Sequence, residues 1–297
     1  MQAMVLAAGL GTRLRPFTSV RPKPLFPVMG EPLILRIIRS LRRSGFTRIV
    51  VNAYHLKEQL IALLDSEPDI ILQLEPIELG TGGGLRMALE SLAPGPVLVT
   101  NADIYHDIDY RWAYESHRGS GAGATLVMHN CPRFNKVLVS EQGNIISFQS
   151  EMIPEPAMKI RAFTGIHVLE TALLNLIPQG QFYSVIDAYT AFISQGGIIK
   201  ALEADNCFWR DIGTPADYLE LHRDFVTGSS QEIQKDQRRD GFQFGSDTRL
   251  ERNVTLKEWG YIGANVTIGV GSHLERVVVW DGAKIPPGTI AKDTIVV

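Results

Sequence analysis

The chain has 297 residues, 45% hydrophobic and 21% charged, with a formal net charge of −3. This composition suits a globular fold and lacks the basic footprint of a nucleic-acid binder. No apolar run approaches the ~18 residues of a membrane span, and Cys131 and Cys207 form no C-x-x-C pair, which argues against a metal finger or redox couple.

Residues 2–8 (QAMVLAA) read as a buried strand. In 32–45 (PLILRIIRSLRRSG), apolar residues at 33, 34, 37, 38 and 41 with Gly45 as a stop predict an amphipathic helix. Strand 47–54, helix 56–66, strand 69–75, helix 83–92 and strand 95–103 follow. The alternation predicts an α/β fold with a doubly wound, mainly parallel sheet. Further on, GATLVMHN and NKVLVSEQGNIISFQS read as strands, the second with a turn at 141–144. Residues 170–177 (ETALLNLI), 184–197 and 215–226 read as helices. The N-terminus reads as a strand without a basic leader, so the expected location is the cytoplasm, where reduced cysteines are usual.

Residues 227–247 are polar and glycine-containing, as in a linker. Beyond them Leu256, Ile262, Ile268, Leu274 and Trp280 recur every six residues, with glycines between. Hexads predict a parallel β-helix with three hexads to a turn, here about two turns. The expected division is a first domain over 1–227, a linker over 228–250 and a hexad domain over 251–297. So short a coil needs a surface to lean on, in its own chain or in a second copy, and a homo-oligomer is expected.

The first strand runs into Gly9-Leu10-Gly11-Thr12-Arg13. Glycines there let backbone N–H groups approach an anion. Leu14 stands where a dinucleotide fingerprint needs its third glycine, and no Gly-Lys-Ser/Thr follows, so neither that motif nor a P-loop is present. Lys23 lies between Pro22 and Pro24, whose fixed φ stiffens the segment. Asp103 and Asp211 each end an apolar stretch, and the pair suits Mg²⁺ held with phosphate oxygens.

Five stretches in this order, LAAGLGTRLRPFT with PKPLFPV, ELGTGGGL, VTNADI, FTGIHVL and FWRDIGTPADYLELH, resemble the signatures of the sugar-1-phosphate nucleotidyltransferases. The resemblance implies a Rossmann-like three-layer domain with a mixed, mainly parallel sheet, and the hexads resemble the short left-handed β-helix that many members append. It implies a reaction of a nucleoside triphosphate with a sugar 1-phosphate, giving a nucleotide sugar and pyrophosphate with Mg²⁺. Arg13 and Lys23 would be catalytic. Leu6, Ala7, Ala8, Gly9, Gly11, Thr12 and Gly82, Gly83 and Gly84 would bind the nucleotide with them. Asn101, Glu151, Thr164 and Gly165 would bind the sugar phosphate, and Asp103 and Asp211 the metal.

The Glu-Lys-Pro of many members is absent, which leaves Glu151 as the glutamate and Lys159 or Arg161 as the cation. Ala8 resembles uridylyltransferases, and the triple glycine without Glu-Lys-Pro resembles the N-acetylmuramic acid 1-phosphate uridylyltransferases, so UTP is favoured, while the hexads favour the mannose 1-phosphate guanylyltransferase-like branch. Two other classes compete. Asp107-Ile108-Asp109 is the Asp-x-Asp of a glycosyltransferase, and a catalytically inactive regulatory or nucleotide-sugar-binding subunit would share the fold.

Overall fold

A computed structural model describes all residues except 66, 149–157, 229–237 and 240. The chain divides into two compact units, Met1–Leu10 with Pro22–Pro24 and Arg36–Trp209, and Gly11–Arg21 with Leu25–Leu35 and Arg210–Val297.

In the first unit, β1 (Gln2–Leu6) is central. It is followed in chain order by α1 (Leu33–Arg43), which begins in the other unit, then β2 (Arg48–Ala53), α2 (Lys57–Leu64), β3 (Ile70–Leu74), α3 (Gly80–Met87), β4 (Pro96–Asn101), β5 (Ile104–His106) and α4 (Tyr110–Arg118). Then come β6 (Ala124–His129), β7 (Val137–Val139), β8 (Ile145–Ser147), β9 (Lys159–Glu170), α5 (Val185–Ser194) and β10 (Ile199–Glu203). A nine-stranded mixed sheet runs β8-β7-β9-β4-β1-β2-β3, with β6 beside β9 and β10 beside β6. Strands β3, β2, β1 and β4 are parallel, and β9 is antiparallel to β4.

The apolar residues explain these elements. Met4, Val50, Val97, Val99 and Leu126 from the sheet meet Leu85, Ala88, Ala188 and Tyr189 from the helices in one core. Helix α1 buries Leu33, Ile34, Ile37, Ile38 and Leu41, the five positions its periodicity marks. Its Arg42 is held by Glu67 and Asp69 rather than by water alone. Register brings Leu6 beside Asn101 and Thr100 beside Ile166, so the carboxyl ends of β1 and β4 meet the middle of β9. Strand order reverses between β1 and β4, the crevice where open α/β sheets take ligands.

In the second unit, α6 (Pro215–Thr227) starts at a capping box, with the Thr214 hydroxyl accepting from Asp217 N–H and the Asp217 carboxylate accepting from Thr214 N–H. Beyond it are β11 (Phe242–Phe244), β12 (Arg249–Leu250), β13 (Thr255–Ile262), β14 (Thr267–Ile268), β15 (His273–Val279), β16 (Lys284–Ile285) and β17 (Ile290–Val296). They form two parallel stacks, β11-β13-β15-β17 and β12-β14-β16. Thr255 lies beside His273 and His273 beside Ile290, so the chain returns to one stack after 18 and then 17 residues (273 − 255 and 290 − 273). Ile262, Ile268 and Leu274 fill the interior, as the hexads predict.

Two details differ from expectation. Strands β11 and β12 lie in the stretch read as linker, because Phe242 is a core residue whose ring fills the space over Gly260, outside the hexad count. Residues 171–176 form a 3₁₀-helix, since Pro178 forces Ile177 into extended backbone before an α-helix can develop. No helix among the described residues is long and apolar enough to cross a membrane.

Candidate active site

Strand β1 ends in a fixed position because the side chain of Asn52 reaches it. Ala7 N–H donates to Asn52 Oδ1 at 2.7 Å, and Asn52 Nδ2 donates to Glu75 Oε1 at 2.7 Å. Glu75 Oε2 accepts from Leu79 N–H at 3.3 Å, just before α3. Burial pushes the Glu75 carboxyl above its ordinary range, and the bonds from Asn52 and Leu79 oppose that rise. The sequence reading missed both residues. The available signal was a polar Asn52 inside the apolar RIVVNA strand.

The triple glycine lies at the start of α3, which begins at Gly80 rather than at the expected 83. The N–H groups of Gly82 and Gly83 donate to Tyr183 O, at 2.8 and 3.2 Å. A Cβ on Gly82 would meet the Ser184 backbone, one on Gly83 the Gln181 carbonyl, and one on Gly84 the Glu75 carboxylate at 2.6 Å. These glycines therefore let α3 sit close to 181–185 and to the Asn52–Glu75 pair. Gly9 differs, since nothing lies within 4 Å of where its Cβ would be. Gly11 has φ +61° and opens a 3₁₀ turn over Thr12–Leu14.

Lys23 is buried, at 6% exposure, and its Nζ donates to Asp103 Oδ2 at 2.8 Å. Asp103 lies two residues past the carboxyl end of β4 and is more open. This is a lysine held in place with its ammonium on a carboxylate. In the second unit Arg13 Nη2 lies 3.9 Å from Asp211 Oδ2, with the arginine side chain 60% exposed. Gly213 leaves them room, because a Cβ there would meet Asp211 Oδ1 and Arg13 Nη2 at 2.6 and 2.7 Å.

On β9, Gly165 has φ +82°, and its missing Cβ makes way for the Asn101 carboxamide at 2.7 Å. The Thr164 hydroxyl is used by the fold, donating to Val127 O at 2.8 Å and accepting from Ile166 N–H. Glu151 lies outside the described residues. Lys159 pairs with Glu203 at 2.9 Å, and Arg161 lies near Glu203 and Asp205. The two aspartates of Asp-x-Asp are also engaged. Asp107 Oδ1 accepts from Phe208 N–H at 2.7 Å, and Asp109 caps α4. His167 is buried beside Phe163 and Tyr189, and burial pushes its imidazole down to about 3.

Within the first unit, Leu6, Ala7, Lys23, Asn101, Asp103 and Gly165 thus gather around the carboxyl ends of β1 and β4. The arrangement sets a buried ammonium against a carboxylate at those strand ends.

The model of the family described as nucleotidyl transferase matches residues 2–228. A UTP–glucose-1-phosphate uridylyltransferase of Synechocystis sp. is 27% identical, covering 100% of this chain and 87% of the relative. A mannose-1-phosphate guanylyltransferase of Mycobacterium tuberculosis is also 27% identical, covering 98% and 82%. The crystal structure of HddC from Yersinia pseudotuberculosis complexed with GMP-PN superposes with a TM-score of 0.63 at 21% identity, covering 75% of this chain and 99% of that one. A match that runs from β1 past the end of α6 decides the question: the chain belongs to the nucleotidyl transferase family.

Proposed function

We propose that the protein is a sugar-1-phosphate nucleotidyltransferase, joining a nucleoside triphosphate to a sugar 1-phosphate with release of pyrophosphate. The observation that carries this reading is the buried Lys23 ammonium on Asp103, at the carboxyl ends of the central parallel strands. The relatives support it, being named for uridylyl transfer to glucose 1-phosphate and guanylyl transfer to mannose 1-phosphate.

An oxygen of the sugar phosphate attacks the α-phosphorus, and the bond to the β-phosphate oxygen breaks. That nucleophile is already ionised near neutrality, so no general base is needed. The obstacle is repulsion between two polyanions. Lys23 and Arg13 offset it and stabilise the charge that develops on pyrophosphate. The Gly9–Thr12 turn lets the backbone approach the triphosphate, and Leu6, Ala7, Ala8 and the start of α3 at Gly82–Gly84 line the base, with Asn52 and Glu75 holding Ala7. Asn101 and Gly165 face the sugar phosphate.

Mg²⁺ is the proposed ion, because Asp103 and Asp211 each carry the hard carboxylate oxygens that this cation prefers. Such a site suits an ion held by one or two carboxylates together with substrate phosphates. When bound, the ion would polarise phosphate oxygens and screen their charge.

UTP is the proposed nucleotide, because Ala8 narrows the room for a purine, with GTP and mannose 1-phosphate as the alternative pair. The parallel stacks returning every 17 or 18 residues support a short left-handed β-helix as the C-terminal part. A homo-oligomer remains our proposal for the assembly. The test is pyrophosphate release from four nucleoside triphosphates against a panel of sugar 1-phosphates. The reading expects turnover with UTP above GTP, and a chain that releases pyrophosphate from no pair overturns it.

A further inference from the structure

The stretch around Lys23 is divided in an informative way. Gly11–Arg21 and Leu25–Leu35 belong to the same compact unit as α6 and the parallel stacks, although β1 precedes them directly in sequence. One side chain of the hexad segment contacts both stretches. Trp280 follows β15, and its indole meets the Phe26 ring edge-on at 4.9 Å and the Phe17 ring at 6.4 Å. The guanidinium of Arg21 lies 4.4 Å from the indole centroid.

The polar end of the indole is used as well. Trp280 Nε1 donates to the Tyr218 hydroxyl at 3.1 Å, and that hydroxyl donates to the Pro27 carbonyl. Tyr218 lies on α6, and its ring packs edge-on against Phe26 at 5.6 Å. A second relay runs in parallel. The His222 Nδ1–H donates to Tyr218 O, which leaves Nε2 to accept from Met29 N–H at 3.3 Å. Side chains on both sides of Lys23 are therefore gripped by the indole, and the backbone beyond Lys23 is held at Pro27 O and Met29 N–H.

We infer that Trp280 is a positioning residue for the triphosphate-binding loop, so that the hexad segment takes part in nucleotide binding without touching the nucleotide. The inference rests on the proposed role of Gly11–Lys23. A loop has many conformations, and a phosphate site needs one. Phe17 and Arg21 lie four and eight residues beyond Arg13, and Phe26 lies three beyond Lys23. An aromatic clamp on these residues removes the loop's alternatives before the triphosphate arrives, which lowers the ordering cost of binding.

The test uses the full-length protein with UTP and GTP in turn as the triphosphate. Trp280→Ala should raise KM for the triphosphate by about tenfold or more, short of the hundredfold that a 1 Å misplacement can cost. KM for the sugar 1-phosphate should not change. Trp280→Phe, which keeps a ring for Phe26 and Arg21, should recover most of the loss. A residue that merely supported folding would lower the active fraction, and hence kcat, with both KM values unmoved. That pattern overturns the inference. If Trp280→Ala does not fold, Tyr218→Phe removes only the hydroxyl between the indole and Pro27. A raised triphosphate KM in that variant supports the inference and an unchanged one overturns it. Wild-type protein inert toward every triphosphate would sink the functional reading instead.

Discussion

Lys23 and Arg13 come from one motif yet stand in different surroundings. Lys23 is buried and already seated on Asp103, whereas Arg13 is open and only loosely near Asp211. A preorganised donor contributes more to a transition state than one that must be ordered first. Lys23→Ala should therefore cost about 3–4 kcal/mol of transition-state stabilisation, roughly a hundredfold to a thousandfold in kcat/KM. Arg13→Ala should cost less, about 1.5–3 kcal/mol, as for one charge-assisted hydrogen bond. Steady-state kinetics of both variants checks the order, and a larger loss at Arg13 contradicts it. His167 offers a test of stability. Its imidazole titrates at about 3 in the fold against 6.5 in the free chain, because burial disfavours the cation. Between those values the unfolded chain binds the extra proton, so this contribution is present above 6.5 and is lost as pH falls. Neither ring nitrogen has a hydrogen-bond partner among the described residues. His167→Phe should then gain stability relative to wild type as pH falls below 6.5, with a constant difference above it, measurable by urea unfolding. Lys23 and Asp103, which charge and motif mark in the sequence, do lie together in the fold. Asn52 and Glu75 were not legible there, since their roles exist only once β2 and β3 lie beside β1.

Elements were legible wherever periodicity governs them. The apolar stripe of α1 and the strands of the central sheet follow from it directly. Where close approach governs instead, the bounds shifted. The helix expected from 83 begins at Gly80 although glycine disfavours helices, since only glycine lets α3 come so near Tyr183, Ser184 and Glu75. The contrast with Gly9 gives a paired prediction. Gly84→Ala should destabilise by about 1–3 kcal/mol, the range for overpacking. Gly9→Ala should stay within about 0.5 kcal/mol of wild type while weakening triphosphate binding. Thermal unfolding beside nucleotide titration distinguishes the two, and equal melting losses would contradict the assignment.

For the molecule as a whole, the hexads announced a coil of parallel strands, but not its beginning or its docking. Its first rung was hidden because Phe242 and Phe244 sit in a polar, glycine-containing stretch. Trp280 reads as one more interior hexad residue, whereas its ring contacts are Phe17 and Phe26, with Tyr218 on its nitrogen. Deleting 241–297 would uncover those rings, and exposed apolar surface of this kind promotes association. The truncated chain should show a lower melting midpoint and a smaller soluble fraction. An unchanged midpoint would mean that the coil is an independent appendage. In the proposed function, nucleotidyl transfer depends on the carboxylate and ammonium gathered at the ends of β1 and β4. The most direct measurement is pyrophosphate release by Asp103→Asn, an isosteric change, alongside its thermal midpoint. The account predicts a loss in kcat of at least about a thousandfold, the upper scale for one preorganised electrostatic group, with the midpoint close to wild type. A variant that melts like wild type and turns over at the wild-type rate would contradict it.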